Sequence, residues 1–505
     1  MAIANNQQSK PVTAPTHPEY DFVCKELEKI RICMQGSLSV KKAGYTLLPH
    51  PSQIDPDSNE QQLRYRDYLA NAEYKNDAAS SKRQLLGKMR LDDLKIELPD
   101  SIAYLEENSD GDNLSLRDAI KLACGEVQEM KTHFLVSDFQ GLSDVDLTQI
   151  SLAEQNQLNP QAYIKHYTRD SLTNWSFRTI NGRTQLSYLQ FREVGTEFDN
   201  NTGQHNEIES YLILALDEDG NYYQQKKVYG AKGQSEGELN YVTVKGEPLK
   251  YIPVSIVSDE ALMPSRLPMG MGFLHPIIDV SLQRYRMSAK YKETQAANIP
   301  TKWTSGWQQN DIDTFKEINK RDYMTTGGYG VNNLPGEVQV GVTSASADMD
   351  DFHWDFERYD KEVAKLGGTN ESGNASNMTA TESEMIANNQ NALLESLAMS
   401  AEQAFKQQVV YCGVFMGAYD ANDIGSNIED IIIDLPRDFA KSKLSVDEVG
   451  KLIELRMQRA ISENEFHKQL KNGGWIISEV EDMIAEMENE APRMTLPDVD
   501  DGLGV

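Results

Sequence analysis

The stretch 275-HPIIDVSLQRYRMSAKYKETQAANIPTKWTSG-306 decides how the rest of the chain is read. Between Pro276 and Pro300 it contains neither glycine nor proline, and proline suits both the first position of a helix and the position after its end. The spacing therefore predicts a helix over 277–299. Its apolar positions, Ile278, Leu282, Tyr285 and Ala289, make a narrow stripe, while Arg284, Arg286, Lys290, Lys292 and many amides take the other faces. A helix so polar all round needs neighbours of its own kind or a bridging role.

Downstream the pattern changes quickly. Lys302, Trp303 and Trp307 lie around Gly306, a short helix is expected over Asp311 to Asn319, and 325-TTGGYGVNNLPGE-337 is dense in turn signals. GGYG is no phosphate loop, because it lacks the GK[ST] ending and opens no helix. A further helix, 348-DMDDFHWDFERYDKEVAKL-366, stops at Gly367 and Gly368. The polar run 367-GGTNESGNASNMTATESEMIANNQ-390 follows, in which Thr381 and Glu384 have capping-box spacing. From there a helical pattern continues through Leu393, Leu397, Ala404 and Tyr411 to Phe415, about 55 Å at the usual rise. A strand over 428-IEDIIIDLP-436 and amphipathic helices around 445–460 and 477–490 complete this half.

Upstream, 19-EYDFVCKELEKIRICMQG-36 predicts a helix with Phe22, Leu27, Ile30 and Met34 on one face, ended by Gly36. Residues 61–90 continue in a helical pattern, and 114–134 predicts a helix that leads into the strand FLVSDF. From Tyr163 to Val257 the pattern is antiparallel β, with a hairpin around DEDGN at 217–221. Asp217, Asp219 and Asn221 do not make a calcium loop, since the glycine falls at the wrong position and no closing glutamate follows. The expected fold class is α+β, predominantly helical.

The 505 residues are enough for two to four domain-sized units. Lysine and arginine number 49 against 78 acidic residues, a formal charge of -29, which is the wrong sign for a dedicated nucleic-acid binder. Cys24, Cys33, Cys124 and Cys412 show no CxxC spacing and read as small core hydrophobes in a reducing cytoplasm. No apolar run approaches a membrane span and the opening residues carry no signal-peptide pattern. Motifs for chemistry are absent too: there is no HExxH and no GxSxG, and in so acidic a chain a pair such as Asp350 and Asp351 says little about acid/base work. His353 reads as a packing or surface residue. No metal, cofactor or catalytic residue is expected.

The order of these elements resembles the portal, or head-to-tail connector, proteins of tailed bacteriophages over nearly the whole chain. The phrase 68-YLANAEYKNDAASSKRQLLGKMR-90, the segment 170-DSLTNWSF-177 with 182-GRTQLSYLQFRE-193, and above all 275–306 carry the likeness. The last is similar to the Pro-Leu-Leu-Asp-Leu…Tyr-x-x-Ser-Ala-Asp-Tyr…Pro-Thr pattern of one portal-like subgroup, with Lys290 in place of its Asp and Ile277-Ile278 in place of its leucine pair.

The resemblance implies a ring of twelve subunits around double-stranded DNA. It implies a disordered tail at 1–18, a wing at 19–274, a stem helix at 275–299, a clip at 300–346 and a second stem helix at 347–366. A tunnel loop at 367–380, a long wing helix with a strand at 381–443, a crown at 444–490 and a flexible tail at 491–505 complete the series. The channel contacts it implies are Thr369, Asn370, Glu371, Ser372, Asn374, Ser376 and Asn377; Arg284, Arg286, Lys290 and Lys292 would form a basic band on the stem. Lys302, Trp303 and Trp307 would dock partners. Those partners are the terminase large subunit, a tail adaptor, and capsid and scaffold proteins, with no membrane. The place implied is the capsid portal vertex, after assembly in the host cytoplasm. Two rival classes are a DNA-processing nuclease and a capsid or scaffold protein.

Overall fold

The computed structural model describes residues 14–50, 59–139, 161–180, 182–200, 202–230, 233–263, 265–268, 270–298, 301–305, 307–320, 339–343, 349–366, 380–437, 446–458 and 460–472. It divides into two compact units, 1–436 and 437–505. In the first, helices α1 (Pro18–Met34), α2 (Asn59–Asn71), α3 (Asp77–Lys88) and α4 (Leu116–Met130) precede most of the strands. Helices α5 (His275–Ala297), α6 (Asp350–Lys365) and α7 (Ala380–Phe415) follow them. The strands used below are β1 (Lys95–Glu97), β2 (Thr132–Phe139), β3 (Ala162–Thr168), β4 (Leu172–Ile180), β5 (Arg183–Asp199), β6 (Gln204–Leu216), β7 (Tyr222–Gly230), β8 (Gly233–Glu236), β9 (Val254–Ser258), β10 (Thr301–Ser305), β11 (Gln339–Thr343) and β12 (Ile432–Asp434). Helices and antiparallel sheets are segregated along the chain, so the α+β class holds.

Two sheets make the body. A three-stranded sheet runs β9-β2-β3, and a larger antiparallel meander runs β4-β5-β6-β7-β8. Strand side chains alternate between faces, and β2 uses both. Phe134 and Val136 join Leu172, Trp175, Leu189, Phe191, Leu214 and Tyr222 in the core shared with the meander. The opposite face, with Leu135 and Ser137, lies under α7. The hairpin around DEDGN forms as the sequence predicts: Leu216 pairs with Tyr222, Gly220 takes φ +78, and the Asp217 carboxylate accepts from the Asn221 backbone N–H at 2.8 Å.

Helix α7 has 36 residues and buries Leu394, Leu397, Ala398, Ala401, Phe405, Val409 and Val410 against the body. Its seam with the small sheet is also polar. The Gln408 amide donates to Ser137 Oγ at 2.7 Å and to the Pro253 carbonyl at 3.2 Å, while its oxygen accepts from Ser255 Oγ at 2.8 Å. Ser400 Oγ accepts from the Ser258 backbone N–H at 3.0 Å. Both donors and the oxygen of the buried Gln408 amide thereby have a partner, as burial of such a group requires.

Several sequence expectations change. On α1 the buried set is Val23, Leu27, Ile30 and Cys33, and Phe22 is 89% exposed, so the packed face keeps Leu27 and Ile30 but takes Val23 and Cys33 in place of Phe22 and Met34. Residues 61–90 are two helices, broken before Asn76, whose side chain accepts from the Ala79 backbone N–H and caps α3. Helix α7 already includes Ala380, so Thr381 lies inside its first turn and is not the cap. The strand over 428–436 reduces to β12, paired with β1, behind a short 3-10 turn at Ile428–Asp430. In the second unit, α8 (Val446–Met457) agrees with the predicted helix, α9 (Glu463–Asn472) was not expected, and 477–490 lies outside the described residues.

Candidate functional site

The segment from His275 to Leu366 is an antiparallel hairpin whose two arms stay in step. Near its base the Arg284 guanidinium pairs with Asp360. One helical turn or two further out, the Tyr291 ring meets His353, Phe352 and Phe356 edge-on, with centroids 5.6 to 5.9 Å apart. Beyond the helices, β10 pairs with β11 in the register Thr301 to Thr343 and Ser305 to Gln339. Among the described residues, the helix contacts and the strand pairs therefore follow one alignment of the two arms. Arg284 also lies 5.8 Å from the Phe356 ring, so one cation serves an ion pair and an aromatic face.

Within the single subunit the basic residues expected on the stem have different surroundings. Arg284 is mostly buried against Asp360 of its own chain, a partner that the sequence reading did not single out. Arg286 Nε donates to the Leu47 carbonyl at 2.9 Å, and Lys292 lies 3.8 Å from Glu73. Lys290 is exposed. The apolar face of α5 is also wider than the predicted stripe: Ile277, Ile278, Val280, Leu282, Tyr285 and Ala289 are all buried within the chain. Tyr285 meets Tyr74 edge-on, Ser288 Oγ accepts from the Glu73 backbone N–H, and Arg64 reaches Glu293. The neighbours that α5 requires are supplied largely by α2, α3 and α6 of the same subunit.

At the outer end of the hairpin, Trp307 packs edge-on against Phe315 at 5.4 Å, at the entry to the short helix Gln309–Asn319. Phe315 is buried there. Lys302 and Trp303 are placed by their backbones in β10, opposite Val342 and Gly341. The predicted channel contacts Thr369, Asn370, Glu371, Ser372, Asn374, Ser376 and Asn377 lie outside the described residues.

The base of the hairpin is fastened to the body by ion pairs. His275 Nε2 lies 2.5 Å from Glu26 Oε1 and 3.7 Å from Asp279, while Lys29 Nζ lies 2.8 Å from Asp279 and also pairs with Glu26. Glu26, His275 and Asp279 are close enough to share a cation, but Lys29 already supplies one to both carboxylates. Burial pushes the Glu26 carboxyl up, yet its bonds to Lys29 and His275 hold it below the usual range. A neighbouring network joins Arg31 to Asp170 at 2.9 Å and to Glu126 at 3.0 Å, with Lys82 on Glu129. Burial alone would pull the Arg31 guanidinium down, and its bonds to Asp170 and Glu126 reverse that. The only sequence signal for the first cluster is the His275 and Asp279 spacing on one helical face; Glu26 is remote in sequence.

One other group, a histidine pair, escaped the sequence reading, and two cysteines agree with it. His133 Nε2 and His166 Nδ1 lie 2.9 Å apart inside the small sheet, with Phe405 beyond. Cys124 and Cys412 are fully buried, and burial pushes each thiol up to about 12, as inert core residues. Among the described residues no helix is long and apolar enough to cross a membrane. No protein-family model matches the chain, and no curated protein sequence does either.

Proposed function

We propose that this chain is the subunit of a portal, a ring at a capsid vertex of a tailed bacteriophage through which double-stranded DNA is packaged, held and ejected. The observation that carries the reading is the in-step hairpin from His275 to Leu366, set between an antiparallel β body and a 36-residue helix. Two antiparallel helices followed by a strand pair suit a stem that carries a contact surface at its outer end. In the ring, α5 and α6 are the stem, β10, β11 and the helix at Gln309–Asn319 belong to the clip, and 367–380 faces the channel.

The clip is where the terminase large subunit and the tail adaptor dock, and the body is the wing set among capsid and scaffold proteins. The work is binding and conduction, with no bond made or broken by this chain. Acidity suits that work, because carboxylates near the path repel phosphate and limit sticking.

Light scattering and negative-stain imaging of the purified protein test the reading. The expected particle is a closed ring with a central hole wide enough for a duplex. A monomer, an open filament or a shell would overturn it, and magnesium-dependent cleavage of duplex DNA would favour the nuclease class.

A further inference from the structure

Strands β5 and β6 outrun their sheet. Strand β4 accompanies β5 only as far as Phe191, and β7 accompanies β6 only from Tyr211, so Glu193–Asp199 and Gln204–Ser210 form a two-stranded tongue. Seven residues of strand extend about 20 Å. A ribbon of two strands is marginal in water on its own, and both of its edges offer unpaired backbone groups. Its register puts Val194, Thr196 and Phe198 opposite Glu209, Glu207 and His205, and opposite residues share a face. Val194 is 54% and Phe198 51% exposed, Glu207 and Glu209 are exposed, and 193–210 contains no lysine or arginine.

Helix α6 carries the complementary surface. Trp354, Arg358, Lys361 and Lys365 recur at helical spacing, away from the buried Tyr359 and Val363. Trp354 is 63% exposed, and the Arg358 guanidinium lies 5.3 Å from its ring while also meeting Asp355. The exposed Glu357 and Glu362 flank this stripe, and an acidic ribbon with apolar residues on its face matches the stripe itself in both charge and polarity.

We infer that the tongue of one subunit docks on the α6 surface of the next copy of this chain. Two tongues facing each other across a two-fold axis would oppose Glu207 and Glu209 with their own kind, which like charges on paired strands disfavour. Tongue on helix is instead a head-to-tail contact, in which every copy offers both surfaces and a ring can close. The inference rests on the ring reading and supplies one of its contacts.

Light scattering at one protein concentration tests it with four variants: V194S/F198S, E207K/E209K, R358E/K361E, and the last two combined. All substituted positions are exposed, and the bonds that Arg358 makes to Asp355 and Glu209 to Tyr211 lie on the surface, so melting curves should stay close to the parent's. Each of the first three should lower the assembled fraction about tenfold or more, the scale of one lost charge contact. The combined variant should restore assembly, and hydrogen exchange in the parent ring should be slowed over 193–210 compared with diluted subunits. A parent ring with unaffected variants, or a combined variant that fails to recover, overturns the tongue contact and leaves the ring standing. A monomeric parent overturns both.

Discussion

The His133 and His166 pair is a pH-sensitive feature at the scale of single residues. Burial holds the His166 imidazole down to about 4, against a smaller opposing pull from Asp110, and burial with the neighbouring imidazole holds His133 well below its ordinary range. His133 Nδ1 and His166 Nε2 are buried without a hydrogen-bond partner, so a proton added there has no acceptor. Because these folded values lie below the unfolded value near 6.5, the neutral pair supports the fold above that pH. The support fades as pH falls toward about 4. For His166 alone the full swing is about 3 kcal/mol. Replacing His166 by Phe should therefore flatten the loss of unfolding free energy between pH 6.5 and 4, measured by urea denaturation across that range. An unchanged slope would remove the pair as its cause.

At the scale of elements, the seam between α7 and the small sheet depends on Gln408. Gln408→Leu would remove one hydrogen bond each from Ser137 Oγ, Ser255 Oγ and the Pro253 carbonyl, which keep their bonds to the Gln408 carbonyl, the Ala404 carbonyl and the Ser137 backbone N–H. A hydrogen bond contributes about 0.5 to 1.5 kcal/mol, so losing the three together should cost about 2 to 4 kcal/mol. Gln407→Leu, one position away on a partly exposed face where the side chain bonds only Tyr411, should cost much less. Denaturant midpoints for the two variants check the contrast, and equal losses would mean that the seam is held by its apolar contacts alone.

This seam also shows what the sequence conceals. The period of α7 and the alternation of the strands are legible because each is set within a few residues. That Gln408 must meet Ser137 and Ser255 is not, since those contacts join segments remote in sequence. The same limit explains Arg284. Its helix was legible from the two prolines, but Asp360 becomes its partner only once the arms of the hairpin are laid in register. On α1, Phe22 and Val23 are adjacent, and periodicity alone does not say which of two neighbouring stripes the body covers.

For the whole molecule, the channel is the level at which the portal reading stands or falls, and the polar run Thr369 to Met378 is its test. The composition TNESGNASNM has one acid and no base. A segment meant to hold phosphate firmly would carry lysine or arginine, whereas amides and hydroxyls make contacts that can be exchanged as a duplex moves past. Weak contact repeated around a ring suits sliding. The run joins α6 to α7, and the packing of both helices is fixed elsewhere: α6 on α5 through Arg284, Asp360 and Tyr291, and α7 on the small sheet through Gln408. Replacing Thr369 to Met378 with a glycine-serine bridge of the same length should therefore leave assembly and thermal stability unchanged. Packaged DNA per particle, or its retention after packaging, should fall. Particles of the variant that fill normally and keep their genome would show that this segment is only a connection, and the channel would have to be sought on another face of the subunit.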